Sequence, residues 1–192
     1  MIRTLFAASA LALTAAAPLA AQPMTTAGGA GTMSASDVGM QPMMGVPPAE
    51  FVKQAAASDM FEIESAKVAL GKSRTKGVQG FAQMMIRDHT TTTRQLKTAL
   101  MHDKSVPPPP AMLPPDKQAL LTQLRGTPTK DFDHVYWQQQ LQAHQQAWAL
   151  HKGFSTDGSD PALRKVAAGA VPIVEEHLKM IKSAMTTAGG PM

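Results

Sequence analysis

Four long stretches of the chain repeat their apolar residues every three or four positions, and proline or glycine bounds each of them. That period predicts amphipathic helices, because residues three and four apart lie on one face of a helix. No stretch alternates apolar and polar residues over the length of a strand. The sequence therefore predicts an all-α fold, an antiparallel four-helix bundle that spans residues 49–185. We place long helices at residues 49–74, 78–102, 129–154 and 161–185, and a short helix at 116–125.

Proline and glycine set the predicted helix boundaries. Gly77 provides a stop between the first two long helices. The run SVPPPPAMLPP at residues 105–115 ends the second, because proline lacks an amide hydrogen and disfavours helix in the residue before it. Asp160 as N-cap and Pro161 at the first helical position form the strongest helix-start signal in the chain.

The two ends of the chain differ in composition from the helical stretches. Residues 1–21 combine Arg3, a short apolar run and small residues up to Ala21, which predicts a cleavable signal peptide. An exported chain without cysteine fits the bacterial periplasm. Residues 22–48 are rich in Gly, Ala, Ser, Thr, Pro and Met and predict a disordered linker, and residues 186–192 predict a disordered tail. No second hydrophobic span follows the leader, so we expect no transmembrane segment in the mature chain.

The charge of the mature chain argues against nucleic-acid binding. Without Arg3 it has 17 basic and 14 acidic residues, scattered along the sequence, and aromatic residues make up only 5% of the chain. A nucleic-acid surface needs clustered basic residues interleaved with stacking side chains. The chain also has no nucleophile motif and no phosphate-binding loop, so an enzyme is the least supported class.

Each long helix carries one imidazole or carboxylate on its apolar face, and these residues are Glu62, His89, His144 and His177. Their placement follows from a rotation of about 100° per residue along a helix. Such groups hold zinc, copper, iron or manganese in the cores of helix bundles. We therefore predict a metal site formed by these four residues. The imidazole nitrogens should lie within about 5 Å of one point, because metal–nitrogen bonds are about 2 Å long.

Further polar residues are candidates for supporting the site. A metal-bound histidine usually donates its other N–H to a carboxylate or a carbonyl. The candidates on the helix faces near the four predicted ligands are Asp59, Asp88, Tyr136 and Gln140. We expect Asp88 to orient an imidazole, with the adjacent His89 as its hydrogen-bonding neighbour.

Other titratable residues are expected outside the site. His102 lies beside the proline run and His134 lies on the outward side of the third long helix, so both predict surface positions. Glu175 is expected on a solvated face, and His151 follows His144 by two turns on the inward half of its helix.

Two other interpretations use the same sequence features. In the first, the four inward residues form a hydrogen-bonded polar core network, and the domain is a structural or interaction protein. In the second, the linker captures copper, because five of the 14 methionines lie between Met24 and Met44 and thioethers suit Cu(I). Two alternatives to copper capture exist for those methionines. They are flexible apolar residues of a low-complexity linker, or they are a sink for oxidation to methionine sulfoxide.

Four segments of the chain resemble a family of exported bacterial ferritin-like proteins of unknown function, often labelled predicted outer membrane proteins. These segments are FVKQAAASDMFEIESAKVAL, VQGFAQMMIRDHTTTTRQL, FDHVYWQQQLQAHQQAWAL and DPALRKVAAGAVPIVEEHLKM. The resemblance covers residues 50–185 and implies a ferritin-like bundle, with no established activity. The family's label as predicted outer membrane proteins means that association with the outer membrane stays an open possibility.

The sequence departs from the di-iron members of the ferritin-like class. Those proteins pair a glutamate with a histidine three residues later on two of their helices. Here the residues three before His89 and His177 are Ile86 and Val174. This difference argues against a carboxylate-bridged di-iron centre, and it leaves either a histidine-rich site for a single ion or an old site reduced to a structural polar network.

Overall fold

A computed structural model describes residues 33–101 and 105–188. These residues form six helices and no strand, which confirms the predicted all-α fold. The helices are α1 (Ala35–Val38), α2 (Pro48–Lys72), α3 (Lys76–Leu100), α4 (Pro115–Gly126), α5 (Thr129–Asp157) and α6 (Pro161–Ala188). None of the helices in these ranges is long and apolar enough to cross a bilayer.

The four long helices, α2, α3, α5 and α6, pack side by side. The contacts pair α2 with α3 and α5, and α6 with α3 and α5. Two apolar clusters lie at opposite ends of the structure. One joins the end of α2, the starts of α3 and α5 and the end of α6 through Ala69, Val78, Phe132 and Ile181. The other joins the opposite ends of the same helices through Phe51, Leu96, Phe154 and Leu163. Each packed pair of long helices is therefore antiparallel, and α4 lies on the long connection from α3 to α5.

Local sequence signals account for the starts of α1, α2, α4 and α6. Asp160 Oδ1 accepts a hydrogen bond of 2.7 Å from Leu163 N, which is the predicted N-cap of α6. The turn between α2 and α3 differs from the prediction. Ser73 ends α2, and α3 begins at Lys76, so Gly77 lies in the first turn of α3 instead of stopping α2.

Residues 33–47 form an N-terminal arm that packs along α5, so the prediction of a disordered linker is wrong for residues 33–48. Val38 is fully buried in a cluster with Trp148 and Leu178. Gln145 Nε2 donates to Val38 O at 2.7 Å, and Met43 N donates to Ala149 O at 2.8 Å. Composition misses this arm because one buried valine, two partly buried methionines and hydrogen bonds from its backbone to α5 stabilise it.

The remaining terminal predictions fall mostly outside the described residues. The signal peptide at residues 1–21, the first part of the linker at 22–32 and the end of the tail at 189–192 all lie outside these ranges, as does His102. Within them, α6 continues to Ala188, so residues 186–188 are helical and not part of a disordered tail.

The close approach of the arm to α5 predicts the effect of a single added methyl group. A Cβ at position 153 would lie 1.9 Å from Met43 O, which is backbone. We expect Gly153→Ala to lower the free energy of unfolding by about 1–3 kcal/mol, as overpacking does in other proteins. Chemical unfolding measures this change. Gly80→Ala is the matched control, because nothing lies within 4 Å of its Cβ, and a helical Gly-to-Ala change there should be neutral or stabilising. Equal stability of the two variants would contradict the packing of the arm.

Candidate metal centre

Three histidines from three helices meet in the interior. His89 lies on α3, His144 on α5 and His177 on α6, and one ring nitrogen of each lies within 4.8 Å of the other two. Their exposed fractions are 5%, 1% and 1%. We call these residues the histidine triad. It is a group of ligand atoms from distant parts of the chain, shielded from water by all four long helices.

Each ring of the triad is held by an oxygen on its outer side. His89 Nδ1 donates to Asp59 Oδ1 at 2.8 Å, and His144 Nδ1 donates to Gln140 O at 2.9 Å. His177 Nε2 lies 3.2 Å from Asp88 Oδ2 and donates to it. Because these acceptors are a backbone carbonyl and two carboxylates, they fix which nitrogen of each ring carries hydrogen.

The other nitrogen of each ring has no oxygen partner among the described residues. His89 Nε2 is buried and has no hydrogen-bond partner among the described residues. His144 Nε2 and His177 Nδ1 lie 3.2 Å apart. With hydrogen on the outer nitrogens, both of these atoms are acceptors, so neither can donate to the other. A proton or a metal cation placed between the rings would satisfy the lone pairs that face it.

Asp59 ties α2 to α3 beside the triad. Besides the His89 bond, its carboxylate accepts from Thr92 Oγ1 at 2.8 Å and from Thr93 Oγ1 at 2.9 Å. Three donors on one buried carboxylate fix its position. His89 therefore has little freedom to turn away from the common point.

Burial lowers the pKa of each histidine of the triad, whereas a hydrogen-bonded carboxylate beside His89 and another beside His177 act to raise it. Burial, and then the charge on His177, hold the pKa of His144 well below its usual range. Burial lowers the pKa of His177 to about 4, although Asp88 opposes it. Burial also lowers the pKa of His89, but the hydrogen bond and charge of Asp59 outweigh it, so this pKa is raised. Two of the three rings are thus neutral at pH 7, which is the form that binds metals.

Glu62 lies beside the triad but outside the set of converging atoms. Its Oε1 is 3.7 Å from His144 Nδ1, the nitrogen that faces away from the common point. Both carboxylate oxygens are buried without a hydrogen-bond partner in the described part of the chain. Burial raises the pKa of Glu62 to about 7, and the charge of His89 partly opposes this shift.

The four residues proposed to support the site take different positions. Asp59 holds His89, whereas Asp88 holds His177 on another helix instead of the adjacent His89. Gln140 acts through its backbone carbonyl, and its side chain donates to Ser65 Oγ at 3.2 Å. The Tyr136 hydroxyl is buried with no hydrogen bond to any described residue. Burial, and then the charge of Glu62, hold the pKa of Tyr136 well above its usual range.

Glu175 and His151 are buried as well. Glu175 Oε1 accepts from Trp148 Nε1 at 3.0 Å, so the expectation of a solvated face is wrong for this residue. His151 packs edge-on against Phe51 outside the triad, with ring centroids 5.4 Å apart, and burial lowers its pKa to about 4. The indole N–H of Trp148 and the position of Glu175 beside the apolar stripe are the signals that would have indicated a pair.

The triad fits a small transition-metal ion. Metal–nitrogen bonds of 2.0–2.1 Å place the nitrogens of a tetrahedral site about 3.3 Å apart. The His144–His177 pair has this spacing at 3.2 Å, and the whole triad lies within 4.8 Å. The unpartnered His89 Nε2 is the atom that gains most from such an ion.

The model of one protein family matches residues 33–184 of the chain, and its description is "Domain of unknown function (DUF4142)". The chain belongs to this family. The match includes residues 33–47, so the N-terminal arm is part of the DUF4142 domain and not a linker in front of it. No curated protein matches the DUF4142 chain.

Two solved structures resemble this DUF4142 protein in fold. One is "CopM in the Cu(II)-bound form", with a TM-score of 0.64 and 19% identity, covering 76% of this chain and 99% of that one. The other is "Crystal structure of DUF305 fragment from Deinococcus radiodurans", with a TM-score of 0.63 and 16% identity, covering 72% of this chain and 95% of that one. At these identities the likeness shows a shared fold.

Because Glu62 is buried, its replacement by neutral glutamine should increase the stability of the protein by an amount that depends on pH. The folded protein binds the Glu62 proton more tightly than the unfolded chain, since the pKa rises from 4.5 to about 7. This contribution to stability is present below pH 4.5 and is lost as the pH rises to 7. In metal-free protein, Glu62→Gln should therefore gain stability relative to wild type across this range, by up to about 3 kcal/mol.

Chemical unfolding at several pH values measures the difference. Glu64→Gln on the same helix is the matched control, because Glu64 is a partly exposed surface residue that pairs with Lys67. A Glu62→Gln difference that does not vary with pH would contradict the burial of an unpartnered carboxylate.

Proposed function

We propose that this protein binds one transition-metal ion at the histidine triad. The observation that carries the proposal is the orientation of the three rings. Each donates one N–H to an oxygen and keeps its other nitrogen free of oxygen partners among the described residues, and ligand nitrogens of the three rings lie within 4.8 Å of one another. This is the arrangement in which outer hydrogen bonds fix the tautomers of metal-binding histidines.

Copper(II) is the ion we propose first among zinc, copper, iron and manganese. Imidazole nitrogen binds all four, and at comparable sites affinity rises from manganese through iron to copper, which exceeds zinc. The similarity in fold to a CopM structure with bound Cu(II) supports testing copper first. Iron in a carboxylate-bridged pair is disfavoured, because Ile86 and Val174 replace the required glutamates.

Glu62 is proposed as the fourth ligand. Its carboxylate is buried, lacks hydrogen bonds among the described residues and lies beside His144. Coordination requires the side chain to turn from the outer side of His144 toward the common point. An ion that draws it there would give the carboxylate a partner that it otherwise lacks.

We further propose a ferritin-like four-helix bundle in the periplasm as the setting for this site. The four long helices pack as antiparallel neighbours and have one long connection, from α3 to α5. Ferritin-like folds have one such connection. The leader pattern at residues 1–21 supports export. Metal handling or envelope stress are the roles that this location favours.

A structural role for the same residues is the main alternative. It is favoured by Asp59, whose carboxylate accepts three hydrogen bonds and ties α2 to α3 without any ion. In this alternative, a proton occupies the space between the rings, and the domain binds a protein partner through its surface.

Copper capture by methionines is the second alternative. Met33 and Met40 pack against the apolar cluster of α5 and α6, whereas Met43 and Met44 are 38% and 56% exposed. Met24 lies outside the described residues. The exposed pair is favoured as the part of this methionine set that can reach a soluble ion.

Metal analysis of the mature protein tests the proposal. Protein purified from periplasm without a polyhistidine tag, then loaded with Cu(II) or Zn(II), should retain one equivalent after dialysis in native mass spectrometry. We expect His144→Ala to weaken binding at least about 100-fold, since changes in the outer hydrogen bonds alone cost 10–100-fold. His134→Ala is the control, because this exposed histidine lies on the same helix.

Three outcomes separate the interpretations. Binding well below one equivalent by wild type, with a native circular dichroism spectrum, would favour the structural role. Copper retained by folded His144→Ala but lost on Met43→Leu with Met44→Leu would favour the methionines. Binding that survives every methionine change and falls with His144→Ala supports the triad.

A further inference from the structure

Asp88 is the part of the candidate metal centre nearest to solvent. Its side chain is 23% exposed, whereas the side chains of His89, Asp59, His144, Glu62 and His177 are all below 10%. Asp88 Oδ2 lies 3.2 Å from His177 Nε2. An ion approaching from outside can therefore meet Asp88 before it meets any ring of the triad.

Other elements cover the remaining sides of the site. The N-terminal arm places Val38 over the seam between α5 and α6. Helix α4 packs against α2 and α5. Between α2 and α3, Asp59 and Thr92 are buried and hydrogen-bonded to each other. At the seam between α3 and α6, the Asp88 side chain bonds to Arg87 and His177 and, among the described residues, makes no hydrogen bond to the arm or to α4.

A positive group already occupies the outer side of Asp88. Arg87 Nε lies 2.9 Å from Asp88 Oδ1, and a second guanidinium nitrogen lies 3.3 Å from Oδ2. The Arg87 side chain is 69% exposed, so it can leave without disturbing the interior. An exposed ion pair of this kind contributes little to stability, and a soluble cation competes with the guanidinium for the same carboxylate.

We propose that Asp88 is the capture point through which a metal cation reaches the triad, and that Arg87 competes with the incoming cation. This inference rests on the proposed metal-binding function. The ligand class is a hydrated divalent cation, which a carboxylate attracts over a distance set by ionic strength. Asp88 is then a positioning residue that acts in two ways: it fixes the ring of His177, and it sets the rate of loading.

Loading kinetics separate this role from a purely structural one. Metal-free protein is mixed with Cu(II) buffered by a weak chelator at low ionic strength, and Trp fluorescence follows binding. Asp88→Asn keeps an oxygen that accepts from His177 Nε2 but removes the charge, so we expect association about tenfold slower than in wild type. Arg87→Ala should load several-fold faster.

Charge-matched variants serve as controls. Arg94→Ala removes the same charge from an exposed site on the same helix, and Asp116→Asn removes an exposed acid on α4. Rates in Arg87→Ala and Asp88→Asn equal to those of their controls would overturn the capture role, even if every variant binds one equivalent. Absence of equilibrium binding by wild type would instead overturn the proposed function. High salt should reduce the differences if the capture role is correct.

Discussion

The contact between His144 and His177 is the constraint on which the rest of the interior depends. Two imidazole nitrogens face each other at 3.2 Å in a region that water does not reach. Each ring is prevented from supplying the missing hydrogen by the acceptor on its outer side, Gln140 O for His144 and Asp88 for His177. Replacing buried polar groups with an apolar core of similar volume is often neutral or stabilising. The outer acceptors leave lone pairs on the facing nitrogens, which a cation can use.

Helical period alone predicts the inward direction of the three rings, because the angular position of a residue on a straight helix depends only on its number. It also predicts that Asp59, one turn before Glu62, lies on the same side as the triad. The meeting of His89, His144 and His177 at one height could not be derived this way. That height depends on the three-residue turn after α2, the position of α4 and the start of α6 at Pro161.

Two contacts could not be predicted because they join residues by tertiary packing that no local pattern encodes. Asp88 lies beside His89 in the sequence, yet its carboxylate crosses to His177 on α6, since it projects toward the seam between α3 and α6. The N-terminal arm has the composition of a linker, but Gln145 on the polar side of α5 binds its backbone at Val38. A glutamine on the polar side of α5 thus holds this segment in place.

Ile86 and Val174 stand three residues before His89 and His177, so the carboxylates near the triad come from other positions. Three imidazoles bring no charge to an ion, so a dication at the triad would be costly in a dry interior without anions nearby. Asp59 and Asp88 supply two carboxylates, each one ring away from the common point. A dication there would be balanced by charges that do not bind it directly. Three imidazoles, with Glu62 as the proposed fourth ligand, make a donor set in which nitrogen predominates, and this favours copper or zinc over the harder ions that prefer oxygen.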